Sequence, residues 1–213
     1  YSFNSDGSVN FAQWLARLES YVNLSRHDDI RRACQLSWQV EYLAIAAKNA
    51  WSPGVSAYRT GLEMAEILAQ LHLDSEAIIV ALLYRPVRES RLPLEQVQEA
   101  FGPNIATLLE GVLRMAAINE TDTSKTRVLG QSQDQMENVR KMLLAMVDDV
   151  RVALIKLAER TCAIRSVKTA SQEKRLRVAR EVFDIYAPLA HRLGIGQLKW
   201  ELEDLSFRYL QAD

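Results

Sequence analysis

The chain has 213 residues, of which 48% are apolar and 25% are charged, as in one or two ordinary globular domains. Its formal net charge of −1 excludes an overall field that would draw the whole chain to nucleic acid or to a membrane, so any basic surface must be local. Its two cysteines, Cys34 and Cys162, form no CxxC pair, which argues against a disulfide framework or a zinc site and indicates a reducing, cytoplasmic compartment.

The first third of the sequence is dominated by helical periodicity. Apolar residues at three- and four-residue intervals predict a helix over residues 10–23 and a longer one over 30–49. Asp28 or Asp29 is expected to cap the second of these helices. The Ser, Pro and Gly content of residues 51–58 indicates a loop.

Cap residues then divide the middle of the chain into three further helices. Thr60 is expected to cap the first of them, and Asp74 to cap "SEAIIVALLYRPV". Pro93 suits the first position of a helix that Gly102 ends, and residues 103–118 repeat this start at a proline.

The remaining third begins with a polar stretch, residues 119–133, which has little periodicity and is expected to be an exposed, mobile loop. Helices are predicted to follow over 134–147, 148–167 and 171–192, with a last one after Gly194 and Gly196. No stretch alternates like a strand. The sequence therefore predicts an all-α bundle of about ten helices.

Intact motifs for common chemistries are absent. There is no GxxxxGK[ST] or GxGxxG loop for phosphates. The three histidines, His27, His72 and His191, have no metal-binding spacing and are expected to lie at the surface or to pack. Cys162 has no evident base nearby, so a small packing residue is the preferred interpretation over a nucleophile.

Cationic residues are concentrated in one part of the chain, at Lys156, Arg160, Arg165, Lys168, Lys174, Arg175, Arg177 and Arg180. Lys156 and Arg160 are four residues apart and share a helix face, which could bind phosphates. The alternative is an ordinary solvated surface, balanced by the nearby acids Asp148, Asp149, Glu159 and Glu173.

Two long segments resemble the RelA/SpoT homologues, which make and break guanosine tetra- and pentaphosphate. They are "RKMLLAMVDDVRVALIKLAERTCAIR" (140–165) and "EVFDIYAPLAHRLGIGQLKWELEDLSFRYL" (181–210). The resemblance extends from about residue 35 and implies the N-terminal HD-type hydrolase domain, an all-helical and manganese-dependent fold. It implies a domain over 1–195, followed over 196–213 by a helix that links it to a synthetase domain.

The resemblance also shows where the metal ligands of such a hydrolase would stand. The family holds its metal with "YxxHP", "LLHDVxED" and "KLADRxHNMR", and this chain has "YRTGL", "LLYRPVRES" and "KLAERTCAIR". Gly61 replaces the first histidine, Tyr84 and Arg85 replace the His-Asp pair, and Glu159 replaces the last aspartate.

Other positions of the implied hydrolase are altered too. The Glu-Asp pair that assists catalysis falls on Arg88 and Glu89, and Ala163 replaces an asparagine. The substrate loop "RxSGEPY" becomes "SPGVSAY", with Ser52 at the arginine. No catalytic residue is therefore expected in this chain.

Physical chemistry supports the loss of the metal. A hard divalent cation needs several oxygen or imidazole ligands, and Gly61, Tyr84 and Arg85 supply none of those that are replaced. Arg85 and Arg88 add positive charge instead. At an effective dielectric of about 20, each guanidinium at about 4 Å would repel a divalent ion by about 8 kcal/mol. We expect no metal and no cofactor in this chain.

Three functions follow as hypotheses. The first is a catalytically inactive hydrolase domain that regulates the adjacent synthetase domain of a GTP pyrophosphokinase, through the linking helix with Lys199, Trp200 and Leu205. The second is binding of a guanine nucleotide effector in the vestigial cleft, with phosphates contacting Arg85, Arg88, Lys156, Arg160 or Arg165. The third is a residual manganese-dependent hydrolase.

The partners implied are the synthetase domain of the same chain and, in the second hypothesis, the nucleotide. The synthetase of the parent protein is expected to use Mg²⁺ with ATP and GTP or GDP. A ribosome contact is expected only through the full-length protein, and no membrane contact is expected.

Overall fold

The computed structural model describes residues 1–47, 56–123 and 149–211, with the backbone alone over 118–123. In these ranges every regular element is a helix, apart from one antiparallel bridge between Phe3 and Val9. The predicted all-α class is confirmed. The chain forms two compact units, Tyr1–Leu113 and Arg114–Asp213.

The first unit is built around a central helix, α4. Its helices are α1 (Phe11–Glu19), α2 (His27–Ala46), α3 (Ala57–Gln70), α4 (Ser75–Arg88), α5 (Leu94–Phe101) and the first part of α6 (Pro103–Thr123). All residues from Ala77 to Tyr84 are at most 1% exposed, since α4 packs against both α2 and α3. A helix buried on all sides needs such a continuous apolar run.

The predicted caps of α3 and α4 have different outcomes. Asp74 caps α4 as predicted, and its Oδ1 accepts from the Ala77 N–H at 3.1 Å. The prediction for Thr60 is wrong, because α3 starts a turn earlier and Ser56 accepts from the Arg59 N–H. The Thr60 hydroxyl instead donates to the Ser56 carbonyl oxygen.

The predicted cap of α2 is also wrong. This helix begins at His27, so Asp28 and Asp29 lie in its first turn rather than before it. Their negative charges suit the positive end of the helix dipole without capping it. Arg26 is the residue before the helix, with a φ of 54°.

Prolines and glycines mark the boundaries of α5 and α6. Pro93 precedes the first residue of α5 by one position, and Gly102 ends it with a φ of 100°. Pro103 opens α6 as predicted. The predicted end at 118 is wrong, because α6 continues to Thr123, and no glycine or proline stands between residues 118 and 123 to end it sooner.

Several predictions fall outside the described residues. They are the helix over 134–147, the part of the loop over 124–133, and most of the loop over 51–58 with Ser52. Among the described helices, none has both the length and the hydropathy to cross a bilayer.

The second unit contains the rest of α6 and the C-terminal helices. These are α7 (Arg151–Ser166), α8 (Gln172–Glu181), α9 (Ala187–Arg192) and α10 (Gly196–Gln211), with a 3₁₀ turn at Val167–Thr169. Gly194, with a φ of 74°, makes the turn between α9 and α10. Leu198 and Leu202 are the buried apolar residues of α10, which packs against α7, α8 and α9.

The predicted continuous helix over 171–192 is interrupted by one π-helical turn, Val182–Tyr186. The Ala187 N–H donates to the carbonyl of Val182, five residues back. Pro188 follows in α9, and its ring would clash with the carbonyl four residues earlier in a regular α-helix. The wider turn is where the chain accommodates this proline.

Candidate functional site

Gly61 lies at a close approach between α3 and α4. A Cβ at this position would be 3.3 Å from the carbonyl oxygen of Ala81 and 3.4 Å from the Cα of Leu82. Both neighbours are backbone atoms of the buried central helix, which have little freedom to move. A side chain at the position where the resemblance expects a histidine would therefore require this backbone to shift by a few tenths of an ångström.

Tyr84 fills the next vestigial position with a fully buried ring, 0% exposed. Its hydroxyl oxygen accepts a hydrogen bond from Arg88 Nη1 at 3.2 Å, and the Arg88 guanidinium carbon lies 5.9 Å from the ring centroid. Because the hydroxyl oxygen already accepts from a guanidinium, a metal ion there would face a positive charge, so Tyr84 is poorly suited to bind one.

Arg85 joins α3 to α4 through polar contacts. Its Nη2 lies 2.8 Å from Glu89 Oε1, and its Nη1 donates to Thr60 Oγ1 at 3.2 Å. The side chains of Arg85 and Glu89 are only 17% and 9% exposed, and Arg91 lies 3.5 Å from the other Glu89 oxygen. The positive charge that faces Glu89 is therefore supplied by guanidinium groups.

These residues do not fit the manganese that the family implies. The side chain of Gly61 offers no ligand atom, Arg85 is positively charged like the ion, and Glu89 is paired with arginines. In the part of the chain that the structure describes, no group of three His, Cys, Asp or Glu side chains is arranged to hold a metal ion.

The second unit holds Glu159, at the position of the last metal-binding aspartate. Its carboxylate contacts two cations of its own helix: Lys156 Nζ at 2.9 Å and Arg160 Nη2 at 2.6 Å. Arg160 also lies 3.4 Å from Glu181 of α8. We call these four residues the α7 cluster, and only 3–19% of each side chain is exposed.

The cluster keeps Glu159 charged although it is buried. Burial by itself would raise the pKa of this carboxyl, but the adjacent Arg160 and Lys156 outweigh burial and hold the pKa far below its usual range. The reciprocal attraction of Glu159 raises the pKa of Arg160 well above its ordinary value, against the effect of burial. The cluster is an internal ion network rather than a site of proton transfer.

The remaining candidate residues lie on α7 and α10. Arg165 donates from Nη2 to Glu201 Oε2 at 2.9 Å and so joins the two helices. Lys199 lies 5.3 Å from the centroid of the Trp200 ring and 3.9 Å from Glu203. Ala163 and Leu205 are half-buried. Ala163 offers only a methyl group where the resemblance expects an amide.

Some of these partners were not identified from the sequence. The spacings of Arg85 with Glu89 and of Lys156 with Glu159 are those of helix ion pairs, so the sequence itself carries a signal for both. Thr60, which the sequence predicts as a cap, is instead a contact of Arg85. The partner of Arg165 is 36 residues away, and no local signal indicates it.

Comparison with known proteins places this arrangement in a family. The family model described as "HD domain" matches residues 33–196, well over half of the chain. The chain belongs to the HD domain family. The division of this HD domain from a linking helix after residue 195 stays a prediction.

Its relatives confirm the resemblance to the RelA/SpoT homologues. A GTP pyrophosphokinase of Escherichia coli K12 is 49% identical over 151 residues, 70% of this chain and 20% of the relative. One from Myxococcus xanthus is 45% identical over 150 residues, 70% of the chain and 19% of the relative. A guanosine-3′,5′-bis(diphosphate) 3′-pyrophosphohydrolase of Haemophilus influenzae is 45% identical over 145 residues, which are 68% of this chain and 20% of the relative. The chain spans about a fifth of the length of these relatives.

Proposed function

We propose that this HD domain is catalytically inactive and regulates the synthetase domain of a GTP pyrophosphokinase that makes guanosine tetra- and pentaphosphate. The observation that carries the proposal is the ion pair of Arg85 with Glu89, which stands where the family pattern expects a metal-binding aspartate. The names of the relatives support the activity proposed for the parent protein. That activity would reside in the synthetase domain and would use Mg²⁺. We propose that the parent protein acts in the cytoplasm.

Loss of hydrolysis follows from the chemistry of the first unit. A metal-dependent hydrolase needs an ion that activates water and polarises the phosphate. Here the implied ligands are a glycine, a tyrosine bonded to Arg88 and an arginine bonded to Glu89. The positions that would hold a cation in a hydrolase therefore lack its ligands, and the positive charge of Arg85 repels it.

The test is an assay for release of pyrophosphate from guanosine tetraphosphate, with Mn²⁺ supplied in excess. The pyrophosphohydrolase of Haemophilus influenzae serves as positive control in the same buffer. We expect no release above the protein-free rate. Turnover within a hundredfold of the control would support a residual hydrolase and contradict the proposal.

Regulation through α10 is supported by the side chains that this helix leaves exposed. Trp200 is 69% exposed and Phe207 is 51% exposed. They are seven residues apart and therefore lie on the same helix face, whereas Leu198 and Leu202 are buried. We propose that this face contacts the synthetase domain. A ribosome contact is proposed only for the full-length protein.

A nucleotide effector is the second candidate function, and the charges of the site weigh against it. Arg85, Lys156, Arg160 and Arg165 each have a carboxylate partner, which a phosphate would have to displace. Calorimetric titration with guanosine tetraphosphate separates the two proposals. Saturable heat at micromolar ligand would favour the effector function, and we expect none.

A further inference from the structure

The cationic stretch of the sequence separates into two parts in the structure. Lys156, Arg160 and Arg165 are paired with carboxylates. The cations that follow on α8 behave differently. Arg177 and Arg180 are exposed and Lys174 is half-buried. None of these three forms an ion pair with a carboxylate among residues 1–47, 56–123 and 149–211.

Within residues 149–211, three of the acids that lie near α8 in the sequence are bonded to cations outside the row. Asp149 is bonded to Arg151, with oxygens 2.7–3.1 Å from the guanidinium nitrogens. Glu159 and Glu181 are bonded to Arg160. Of the acids on the helix itself, only Glu173 is not used in this way. The side chains of α8 therefore leave a net positive charge at the surface.

Lys174, Arg177 and Arg180 follow one another at intervals of three residues, and we call them the α8 basic row. Successive members of such a row are neighbours on the helix surface. Their charges thus form a continuous strip along the helix rather than three isolated points. Arg175, by contrast, turns toward the Tyr209 ring, 5.9 Å from its centroid.

We propose that the α8 basic row binds the phosphate backbone of a nucleic acid, without reading its bases. A strip of guanidinium and ammonium groups matches an evenly charged backbone, and arginine binds phosphate through two parallel hydrogen bonds. An acidic membrane fits less well, because the apolar side of α8, with Val178 and Ala179, is buried in the second unit. This inference does not depend on the proposed function.

The test uses the 213-residue chain and a fluorescein-labelled 20-base-pair RNA duplex, with fluorescence anisotropy at several salt concentrations between 50 and 200 mM. The variant K174Q/R177Q/R180Q removes the row and keeps good helix formers. Its affinity at 50 mM salt should fall at least tenfold. The slope of log K against log salt should become shallower by about 2.7, the value for three phosphate contacts.

A matched control removes three exposed arginines elsewhere, R31Q/R114Q/R208Q. This control lowers the net charge by the same amount as K174Q/R177Q/R180Q but keeps the α8 basic row. Its affinity for the RNA should therefore stay within about twofold of that of the unaltered chain. Equal weakening of both variants would overturn the proposal, since binding would then reflect net charge alone. So would the absence of binding at 100 µM protein and 50 mM salt, or tight binding to vesicles of acidic lipid without binding to RNA. Circular dichroism verifies that both variants keep their helices.

Discussion

Lys156 Nζ and Glu159 Oε2 lie 2.9 Å apart, although only 3% and 7% of the two side chains are exposed. In a hydrolase of this family the position of Glu159 holds a metal-binding aspartate, as the resemblance implies. Here the longer carboxylate is held by Lys156 and Arg160 of its own helix. The negative charge is retained, but its partners are protein cations.

Removing the acid of this pair is expected to be strongly destabilising. E159Q leaves the buried Lys156 and Arg160 without their main counter-charge, and breaking one side of a buried ion pair costs about 3–5 kcal/mol. The free energy of unfolding in urea measures the loss. E201Q, whose partner Arg165 has a side chain 36% exposed, is the matched control and should cost less than about 1 kcal/mol. Equal losses in the two variants would contradict a special role for burial.

The same carboxyl should give the chain a characteristic sensitivity to acid. Folding lowers the pKa of Glu159, so the unfolded chain binds the proton more readily than the folded chain. The contribution of Glu159 to the free energy of unfolding is therefore complete above the ordinary pKa of about 4.3. It is lost as the pH falls below that value. The difference in unfolding free energy between the unaltered chain and E159Q should therefore be constant from pH 7 to about 5.5 and narrow below about pH 4.5. A difference that stays constant down to pH 3 would contradict this assignment.

Local signals in the sequence predicted helices better than they predicted caps. The periodic apolar residues of α4 and the cap at Asp74 lie close together in the chain and were sufficient. The start of α3 depends on Ser56, whose hydroxyl also donates to Glu41 Oε2 at 2.7 Å. That contact joins residues 15 positions apart, so a local pattern could not distinguish Ser56 from Thr60 as the cap.

The altered ligand positions could be found from the sequence, but their surroundings could not. The motif "LLYRPVRES" places Tyr84 and Arg85 at the metal positions by simple alignment with the family pattern. The backbone approach that closes Gly61 depends on how two helices pack, and the motif carries no information about it. Packing therefore adds a second obstacle to a histidine at position 61, because the backbone of α4 would have to shift to accommodate it.

A side chain at position 61 tests how far the backbone of α4 can shift there. In G61H the imidazole must displace the backbone of α4, and overpacking of a core is expected to cost about 2–3 kcal/mol. In G61A the gain in helix propensity of about 1 kcal/mol should be cancelled by the contact with Ala81. Thermal unfolding measures both. G196A is the control, because nothing lies within 4 Å of its Cβ, and it should be neutral or slightly stabilising. A stable G61H would show that α3 and α4 can separate there.

Restoring only the His-Asp pair should not restore hydrolysis. In Y84H/R85D the new aspartate would stand beside Glu89, which is 9% exposed and would lose its main cation. Gly61, Arg88 and Glu159 would still depart from the family pattern. We expect a less stable chain with no manganese-dependent release of pyrophosphate from guanosine tetraphosphate. Measurable hydrolysis by this double variant would contradict the conclusion drawn from the ligands.

The exposed face of α10 gives the test of regulation. Trp200 is 69% exposed, so W200A should change the unfolding free energy of the isolated chain by no more than about 0.5 kcal/mol. In the full-length protein the same change should alter the basal rate of guanosine tetraphosphate synthesis, because the proposed contact of the synthetase domain with the helix is lost. L205A, at a half-buried position, should affect both stability and synthesis. Y42A, whose ring is 57% exposed on α2, is the control and should leave synthesis unchanged. If W200A left the rate of synthesis unchanged while L205A altered it, α10 would act through its packing in the second unit and not through its exposed face.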